Sequence, residues 1–537
     1  MNGHLILLLH AHLPYVRHPE YEYALEENWL FEAIRETYLP LLDTIEQMVN
    51  DGISPRLTLS ISPPLTEMLN DDLLKRRFVR SLYQLIELSE AEIRRTRRSA
   101  FEPLACLYHA QFKRIKKLYE ERYGGNLVAA FKRLQDDGHI EIVTSAATHA
   151  FLPAFAQHPD AVRRQIALGV RSYSLNFGRE PAGFWLPECG YYDNLDVLLR
   201  EARIRYTFLE SHGVTRATPR PRHSIYRPVL SSAGVYAFGR DFRSAQQVWC
   251  ATRGYPGDPF YRDFYRDIGF DLSGAYISSF TRLQGIRTFT GIKYHRVTGR
   301  TERKLPYDRA KGIERAAAHA LHFVRERASE VRKLSSFGVR PVLVAAFDAE
   351  LFGHWWYEGV IWLDSVLRNA AERTLPFCST TPGAYLDAHP PAGGPPVRLA
   401  PSSWGEGGFN ALWIGRHNRS LYRHLHAMAE RMEVLEGHAR EVRHKSRGNA
   451  KESKRMHLIR RAVRQAMREM LLAQSSDWLF LMEKGRSAEY AERRIMRHIE
   501  RFNQLFSMVQ ENAINESWLK EVESSDRIFP WLDNAEV

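Results

Sequence analysis

The chain has 537 residues, which is too many for one compact hydrophobic core and predicts two or three domains. Hydrophobic residues make up 44% of the chain and aromatic residues 12%, a composition that indicates a folded, soluble protein. The net charge of +12 would suit nucleic-acid binding, but acidic residues are mixed with the basic ones nearly everywhere, so a polar surface is the better interpretation and no nucleic-acid partner is expected.

No membrane partner is expected either, because no apolar run reaches the ~20 residues of a membrane-spanning helix. The N-terminal run LILLL (residues 5–9) has neither the basic lead nor the cleavage site of a signal peptide, so it predicts a strand and a cytoplasmic protein. The four cysteines form no C-x-x-C pair, which argues against a zinc knuckle or a disulfide framework. The basic runs at 94–98 and 440–468 fall in helical patterns and are interpreted as solvated faces.

Seven short apolar runs in the first 350 residues have the length and the β-branched or aromatic bias of buried strands. They are Leu5–His10, Arg56–Ser62, Ile140–Ser145, Gly183–Glu188, Tyr206–Ser211, Val235–Asp241 and Val342–Asp348. Helical patterns lie between most of them, for example at Ala161–Asn176 and Asn194–Ala202. This alternation predicts a parallel α/β fold, and seven strands predict a barrel slightly smaller than the usual eight-stranded one.

The remaining segments are mostly helical in pattern. The highly charged residues 71–137 predict a helical insertion after the second strand. His389–Pro401 is rich in proline and glycine and predicts a linker, beyond which the pattern stays helical to about residue 510. The predicted domains are therefore a barrel at 1–70 and 138–390, a helical insertion at 71–137 and a helical C-terminal domain at 400–537.

Polar side chains follow six of the seven predicted strands. They are His10 and His12, Ser145 and His149, Glu188, Glu210 and His212, Arg240 and Asp241, and Asp348. Active sites of parallel α/β barrels lie at the C-terminal ends of the strands. The sequence therefore predicts a shared polar cleft at this end of the barrel.

Three chemistries fit such a cleft. Glu188 and Asp348 supply the nucleophilic carboxylate and the carboxylic acid that a retaining glycosidase needs. Alternatively, the His10-x-His12 pair together with Asp348 and His354 would suit zinc. A thiol nucleophile at Cys189 is the weakest alternative, because no separate feature marks its activation.

Aromatic residues favour carbohydrate chemistry. They are Trp355, Trp356 and Tyr357 after the seventh strand, Trp404 and Trp413 around a glycine-rich loop, and Trp478 in a helical pattern. A glycine-rich loop offers little core in which to bury a side chain, so Trp404 is predicted to stack on a sugar ring. Trp478 fits a structural role, since a tryptophan in a helix more often belongs to the core.

These residues lie in segments by which the sequence resembles glycoside hydrolase family 57, in particular its branching-type members, along nearly the whole chain. The segments are HAHLPY (10–15), GHIEIVTSAATHAFLP (138–153), WLPECGY (185–191), FDAELFGHWW (347–356), GYPGDPFYRDFYRDIGFD (254–271), TGIKYHRVTG (290–299), SSWG (402–405) and SDW (476–478). The resemblance implies a (β/α)7 barrel with a helical insertion and an all-α C-terminal domain. It implies that Glu188 is the nucleophile and Asp348 the acid/base, with no metal and no other cofactor.

The resemblance also implies a set of substrate-binding residues. They are His10, His12, His149, Arg262, His354, Trp404, Trp413 and Asp477. Branching-type members carry a mobile loop over the active site with a tyrosine at its tip. Tyr236, within the candidate lid His212–Asp258, is the best candidate for that tyrosine, although the sequence around it also fits a strand.

The expected activity is that of a 1,4-α-glucan branching enzyme in α-glucan (glycogen) biosynthesis, acting on amylose, amylopectin or glycogen. Hydrolysis of α-1,4 links by the same site is the alternative within the family. A metal-dependent polysaccharide deacetylase and a noncatalytic glucan-binding protein are the alternatives from other classes.

Overall fold

The computed structural model describes residues 3–250, 253–283, 285–372, 374–389, 395–445, 450–485 and 487–534, without the side chains of 442–445 and 450–453. The predicted linker at His389–Pro401 and the basic run at 440–468 lie partly outside these residues. Among the described helices, none is both long enough and apolar enough to cross a membrane.

Within the described residues, nine strands form one curled sheet. They are β1 Gly3–Ala11, β2 Leu57–Ile61, β3 Ile140–Ser145, β4 Gly183–Trp185, β5 Tyr206–Leu209, β6 Val229–Leu230, β7 Tyr236–Gly239, β8 Val342–Asp348 and β9 Phe377–Ser379. Their order is β6-β7-β5-β4-β3-β2-β1-β8, with β9 beside β1, and only the β6–β7 pair is antiparallel. The seven predicted strands are confirmed as β1 to β5, β7 and β8.

The two ends of this order meet. The backbone N–H of Asp241, just after β7, donates to the carbonyl of Val344 in β8 at 2.8 Å. The Arg240 guanidinium adds a hydrogen bond to the Ala346 carbonyl at 3.0 Å. These contacts complete the predicted seven-stranded barrel.

The side chains of β1 point alternately to the outer core and to the barrel interior, and this alternation fixes the position of His10. Leu5, Leu7 and Leu9 pack into the large core cluster, whereas Ile6 and Leu8 pack into a separate cluster with side chains of β4, β5 and β8. Successive strand residues point to opposite faces, so the second cluster fills the barrel interior. Because the next residue in this inward series is His10, the strand places an imidazole at the barrel mouth.

The helices surround the sheet and extend beyond it. Those of the first half are α1 Glu27–Ala33, α2 Leu39–Asn50, α3 Pro63–Asn70, α4 Asp72–Arg95, α5 Glu102–Lys117, α6 Leu127–Asp136, α7 Pro159–Phe177, α8 Leu195–Glu201, α9 Ser211–Thr215, α10 Phe242–Trp249, α11 Ile268–Asp271 and α12 Gly274–Thr281. Two π-helical turns, Ile34–Tyr38 and Leu118–Arg122, continue α1 and α5. Helices α4 to α6 lie in the segment that the sequence predicts to be a helical insertion.

The second half of the chain is mostly helical apart from β8, β9 and the long loops before α13 and α16. Its helices are α13 Arg309–Ser336, α14 Gly359–Ala370, α15 Pro382–Ala388, α16 Tyr422–Lys445, α17 Ala450–Ala473, α18 Ser476–Lys484, α19 Ala488–Gln510 and α20 Glu516–Ser525. The C-terminal helices pack on one another, most extensively α17 on α19. The helical character predicted for this region is confirmed.

A buried ionic cluster joins α17, α19 and the end of α20. The side chains of Glu469, His498 and Asp526 are fully buried, and His498 Nδ1 lies 2.7 Å from Glu469 Oε2. Burial opposes ionisation of Asp526, but His498, Arg494 and Arg501 hold its pKa below the ordinary value. Asp526 is therefore the carboxylate that balances two buried or half-buried arginines.

We predict that Asp526→Ala lowers the free energy of unfolding by about 3–5 kcal/mol, because it leaves Arg494 and Arg501 without their shared counter-charge in a buried site. Chemical denaturation measures the loss. The matched control is Glu489→Ala on α19, whose carboxylate is 95% exposed and 3.8 Å from Arg493, so its effect should stay below about 0.5 kcal/mol. Equal effects of the two substitutions would contradict the prediction.

Candidate active site

Glu188 lies in a tight turn directly after β4. Its backbone is left-handed, with φ 60° and ψ 20°, and Cys189 follows with φ 50°. Non-glycine residues rarely adopt this conformation, which costs free energy and is concentrated at functional sites. The turn directs the Glu188 carboxylate toward the barrel mouth, where its side chain is 13% exposed.

Two side chains from beyond the barrel donate to Glu188. The indole Nε1–H of Trp404 donates to Oε2 at 2.7 Å, and the hydroxyl of Ser476 donates to Oε1 at 3.0 Å. The backbone N–H of Trp404 also donates to the Glu188 carbonyl at 3.0 Å. Both carboxylate oxygens are thus held by donors, which favours the ionised form.

Asp348 faces this group from the end of β8. Its residue pairs with His10 in the β1–β8 register, and its charge contributes to the electrostatics of Glu188. Burial raises the pKa of Asp348 to about 6, against the charges of Arg240 and His12. Burial likewise raises the pKa of Glu188 to about 7. Two interacting carboxyls with raised pKa values tend to hold one proton between them near neutral pH.

The two carboxyls differ in their hydrogen bonds, although the pKa of Glu188 remains the higher of the two. The indole N–H of Trp404 only donates, so it disfavours a proton on the oxygen that it contacts. Within the part of the chain that the structure describes, no group donates to the Asp348 carboxyl. The donors therefore stabilise the anion of Glu188 and not that of Asp348, an arrangement that suits Glu188 as the nucleophile and Asp348 as the acid.

A chain of hydrogen bonds leads from β2 to Glu188. Ser60 Oγ lies 3.0 Å from His10 Nδ1, and His10 Nε2 lies 3.0 Å from His149 Nε2. His149 Nδ1 lies 2.9 Å from Ser476 Oγ, which contacts Glu188. Burial lowers the pKa of both histidines well below the usual value, so each is neutral and carries one ring proton.

The single protons fix the direction of this chain. When the Ser476 hydroxyl donates to Glu188, it must accept from Nδ1–H of His149. Neutral His149 then accepts at Nε2 from Nε2–H of His10, and His10 accepts at Nδ1 from Ser60. Four consecutive hydrogen bonds thus point toward the carboxylate. Protonation of Glu188 would favour the opposite direction in every link.

His12 and Asp477 form a charged pair beside the neutral histidines. His12 Nε2 lies 3.1 Å from both oxygens of Asp477, and its Nδ1 lies 2.8 Å from Ser62 Oγ. Burial acts to lower the pKa of His12, but Asp477 and the nearby glutamates raise it above the usual value overall. The His12 ring stacks on His149 with centroids 3.7 Å apart, so its charge also disfavours protonation of His149.

Part of the same cluster could supply the ligands of a zinc ion. His12, His149 and Asp477 offer ligand atoms within 4.8 Å of one another, and their chemistry suits zinc. Both ring nitrogens of His10, His12 and His149, however, have hydrogen-bond partners within the protein. His354 lies instead 3.5 Å from Glu32 and from Glu36. The donors are arranged as a hydrogen-bonded network, and the metal-free site stays a prediction.

Most of the expected residues converge here. The residues brought into one network are His10, His12, His149, Glu188, Trp404 and Asp477, with Asp348 beside them. The Cys189 hypothesis is disfavoured, because burial raises the pKa of the thiol well above its usual value. Trp478 is a core residue, fully buried with its indole N–H bonded to the Leu472 carbonyl at 2.8 Å.

For two residues, the structure contradicts the predicted role in substrate binding. Trp413 is 1% exposed and stacks on Phe151 with centroids 4.7 Å apart, so it has no free face for a sugar. Tyr236 begins β7 and pairs in register with Tyr206 of β5, so it lies in the barrel wall and not at a loop tip. A strand start lies at the opposite end of the barrel from Glu188.

The candidate lid also contains several regular elements. It contains α9, β6, β7 and α10, and its residues 251–252 lie outside the described ranges. Thr218 and Ser231 form β-bridges with Arg398 and Val397. These contacts tie the middle of the segment to the C-terminal part of the predicted linker.

Three serines at the site have no role assigned from the sequence, namely Ser60 and Ser476 of the hydrogen-bond chain and Ser62 beside His12. Ser60 is opposite His10 in the β1–β2 register, and Ser62 contacts His12. The second strand was the one without a recognised polar end, yet LTLSIS places hydroxyls at alternate positions 58, 60 and 62. That alternation was the available signal. Ser476 lies in the SDW segment of the family resemblance, but no local pattern indicates that α18 contacts the barrel.

We predict that Glu188→Gln makes the protein more stable at about pH 8, by up to about 3 kcal/mol. The folded-state pKa of about 7 lies above the usual 4.5, so folding favours the protonated form. That contribution is complete below about pH 4.5 and is lost as the pH rises through about 7, whereas glutamine has no such loss. Denaturation at several pH values should show the difference shrinking toward about pH 4.5. A variant less stable than the parent at about pH 8 would contradict it.

Similarity to known proteins extends over nearly the whole chain. The Glycosyl hydrolase family 57 model matches residues 6–379, and the model of the 1,4-alpha-glucan branching enzyme C-terminal region matches residues 424–536. The chain is 30% identical to a 1,4-alpha-glucan branching enzyme of Thermococcus kodakarensis, over 98% of this chain and 78% of that protein. It is 29% identical to a probable 1,4-alpha-glucan branching enzyme of Mycobacterium tuberculosis, over 92% and 90%.

Two solved structures resemble the entire fold. The alpha-amylase AmyC of Thermotoga maritima is 40% identical with a TM-score of 0.88, and the alignment covers 100% of both chains. The family 57 branching enzyme of Pyrococcus horikoshii is 32% identical with a TM-score of 0.84, over 99% of this chain and 96% of that one. With the family model matching more than half of its length, the chain belongs to glycosyl hydrolase family 57.

Proposed function

We propose that the protein is a 1,4-α-glucan branching enzyme that works by a retaining mechanism. The observation that carries the catalytic part is the position of Glu188, held by two donors at the barrel mouth beside Asp348. The transfer part is supported by the branching-enzyme C-terminal match and by the named relatives. The substrate is an α-glucan such as amylose, amylopectin or glycogen.

In the first step, the Glu188 carboxylate attacks the anomeric carbon of an α-1,4-linked glucose. The bond from that carbon to the glycosidic oxygen breaks, and Asp348 gives its proton to the departing oxygen. The products are a shortened chain and a glycosyl ester on Glu188. The donors Trp404 and Ser476 remain on the carboxyl oxygens and support the charge that returns when the ester breaks.

In the second step, Asp348 takes the proton of a glucan 6-hydroxyl. The resulting oxygen attacks the anomeric carbon, the ester bond to Glu188 breaks and an α-1,6 link forms. Two inversions retain the α configuration. If water takes the place of the 6-hydroxyl, the same chemistry yields hydrolysis.

We also propose domain boundaries, a cellular location and a metabolic role for the protein. We assign the barrel to residues 1–70 and 138–390, the helical insertion to 71–137 and the helical C-terminal domain to 400–537. We place the enzyme in cytoplasmic α-glucan biosynthesis. The C-terminal region then has a catalytic purpose, because Trp404, Ser476 and Asp477 reach the barrel mouth from it.

Hydrolysis of α-1,4 links is a second candidate, and two observations favour it. Tyr236 lies in a barrel strand, so it cannot serve as the tip of a lid that shields the glycosyl ester from water. In addition, the AmyC structure that matches this chain over its full length is that of an alpha-amylase. Transfer depends on an acceptor chain binding before water attacks.

Product analysis on amylose distinguishes the two. We predict that new α-1,6 linkages outnumber new reducing ends, because transfer creates a branch without adding a net reducing end. Linkages are counted after debranching, and reducing ends are counted directly. Reducing ends in large excess over α-1,6 linkages would identify a hydrolase, and the absence of both would reject the proposed activity.

We predict that Trp404→Phe and Ser476→Ala each lower kcat/KM about 10-fold and move its acidic limb to higher pH. Each removes one donor to Glu188, so the pKa of this carboxyl rises further and a smaller fraction is ionised at a given pH. The pH profile of kcat/KM measures both effects. Thr207→Val is the matched control, because it deletes a buried hydroxyl that donates to the Phe184 carbonyl at 2.8 Å. An unchanged acidic limb in both donor variants would contradict the assigned role.

A further inference from the structure

We propose that a cavity behind the active site binds a small phosphate monoester, of about the size of a hexose phosphate. The cavity has a volume of about 310 Å³ and lies between α5, the π-helical turn at Ile34–Tyr38 and α14. Arg35, Arg262, Tyr108, Phe112 and Tyr357 are among its lining residues. The lining includes neither carboxyl of the catalytic pair, so the cavity is distinct from the network around Glu188. It includes Arg262, which the sequence predicted to bind substrate and which the structure places outside that network.

Two buried arginines of this cavity have few partners. Arg35 is 6% exposed and Arg262 is 4% exposed. Arg262 reaches the Gly291 carbonyl at 3.4 Å and Glu36 at 3.5 Å, and Arg35 lies 3.6 Å from Glu36. Within the described residues, Nε of both arginines and Nη2 of Arg35 have no hydrogen-bond partner. Buried N–H groups without a partner are unfavourable. These nitrogens are enclosed by protein atoms, so an acceptor in the cavity reaches them through a rotation of the guanidinium groups, which their lack of a partner favours.

The charge around the cavity favours an anion. Arg114 is already paired with Asp43, and Asp364 with Arg368 at 2.8 Å. Arg35, Arg262 and the exposed Arg309 remain, and Glu36 is the remaining acidic residue of the lining. Glu32 and Glu358 also interact with Arg35 and Arg262, but burial raises the pKa of both carboxyls, to about 7 for Glu32, which reduces their negative charge. The pKa of Glu36 is lowered to about 2 despite its burial, chiefly by the charge of Arg262, so this carboxylate is ionised. The local charge stays positive, and one more anion would neutralise it.

Aromatic rings supply the remaining walls. The Arg262 guanidinium lies over the Tyr357 ring, 3.9 Å from its centroid, and Arg35 lies 5.8 Å from the Phe112 centroid. Tyr108 adds a third ring, anchored through its hydroxyl to the Lys293 carbonyl at 2.7 Å. Rings beside guanidinium groups suit a ligand with an anionic head and a small ring-shaped body.

The anion most compatible with this arrangement is a phosphate monoester. Guanidinium groups present several N–H donors in a planar fork and bind phosphate oxygens with charge-assisted hydrogen bonds. Two such groups on one cavity wall match the several oxygens of a phosphate better than the two of a carboxylate. A sugar ring attached to it would face the aromatic walls, and its small size fits the cavity volume.

The π-helical turn connects this cavity to the catalytic groups. Arg35 and Glu36 lie on the turn, whose Tyr38 donates a short hydrogen bond to Glu350. Glu350 in turn accepts the backbone N–H of His12 at 3.1 Å. A Cβ at position 353 would collide with the Glu36 carbonyl oxygen, so the loop after Asp348 lies directly on the turn. An anion at Arg35 is therefore expected to alter the rate on amylose, and this consequence, unlike the binding itself, rests on the proposed function.

Isothermal titration and thermal melting test the binding directly. The probes are glucose 6-phosphate, inorganic phosphate and glucose, added to the full-length protein. We expect glucose 6-phosphate to bind and to raise Tm, inorganic phosphate to bind more weakly and glucose not to bind. Arg35→Met should weaken glucose 6-phosphate binding at least 10-fold without lowering Tm in the absence of ligand, because the guanidinium that it removes is poorly satisfied.

Arg114→Met is the matched control, since this cavity arginine is 63% exposed and already paired with Asp43. It should change the Kd for glucose 6-phosphate less than 3-fold. The proposal is overturned if glucose 6-phosphate fails to bind, if Arg35→Met binds it as well as the parent does, or if glucose binds equally well. Because binding is read without turnover, these outcomes do not depend on whether the protein branches amylose.

Discussion

Everything at the barrel mouth depends on keeping one carboxylate ionised where little water reaches it. Burial favours a proton on Glu188, and an indole donor and a serine donor oppose it, which leaves the pKa of this carboxyl at about 7. A left-handed turn directs the carboxylate to the barrel mouth, and a chain of neutral histidines leads to the serine donor. A buried ionised carboxylate lowers stability, but a nucleophile must be ionised to react. Such a trade-off between stability and activity is common in enzymes.

This constraint makes the barrel and the C-terminal region interdependent. The strands contribute Glu188, Asp348, His10 and His12, but the groups that contact Glu188 and His12 come from residues 404, 476 and 477. The contact is reinforced by the backbone, since the N–H of Ser476 donates to the His149 carbonyl at 3.0 Å. On the proposed mechanism the barrel supplies both reacting carboxyls, and the C-terminal region supplies the donors that favour the Glu188 anion. A catalytic barrel without this region would lack the donors that favour the anion.

Much of the fold follows from local pattern. Parallel strands buried on both faces give continuous apolar runs, so all seven barrel strands were recognisable. The position of the polar cleft followed because active sites of such barrels lie at the C-terminal ends of the strands. Long-range packing was not recognisable. Trp413 sits in a glycine-rich sequence that suggests exposure, yet its ring packs on Phe151. No local pattern indicates that Ser60 or Ser476 contacts a histidine. The β1–β2 register places Ser60 beside His10, and the packing of α18 places Ser476 beside His149. Such contacts join residues far apart in the chain, and a local pattern carries no information about them.

The central claim is that Glu188 forms the covalent glycosyl intermediate while Asp348 moves the proton. The most direct test is to trap that intermediate with a 5-fluoro-α-glucosyl fluoride, whose fluorine slows the breakdown of the ester, and to locate the label by peptide mass spectrometry. The account predicts one label, on Glu188, with slower labelling after Trp404→Phe. A label on Asp348 or Cys189, or turnover with inverted configuration and no label, would contradict it.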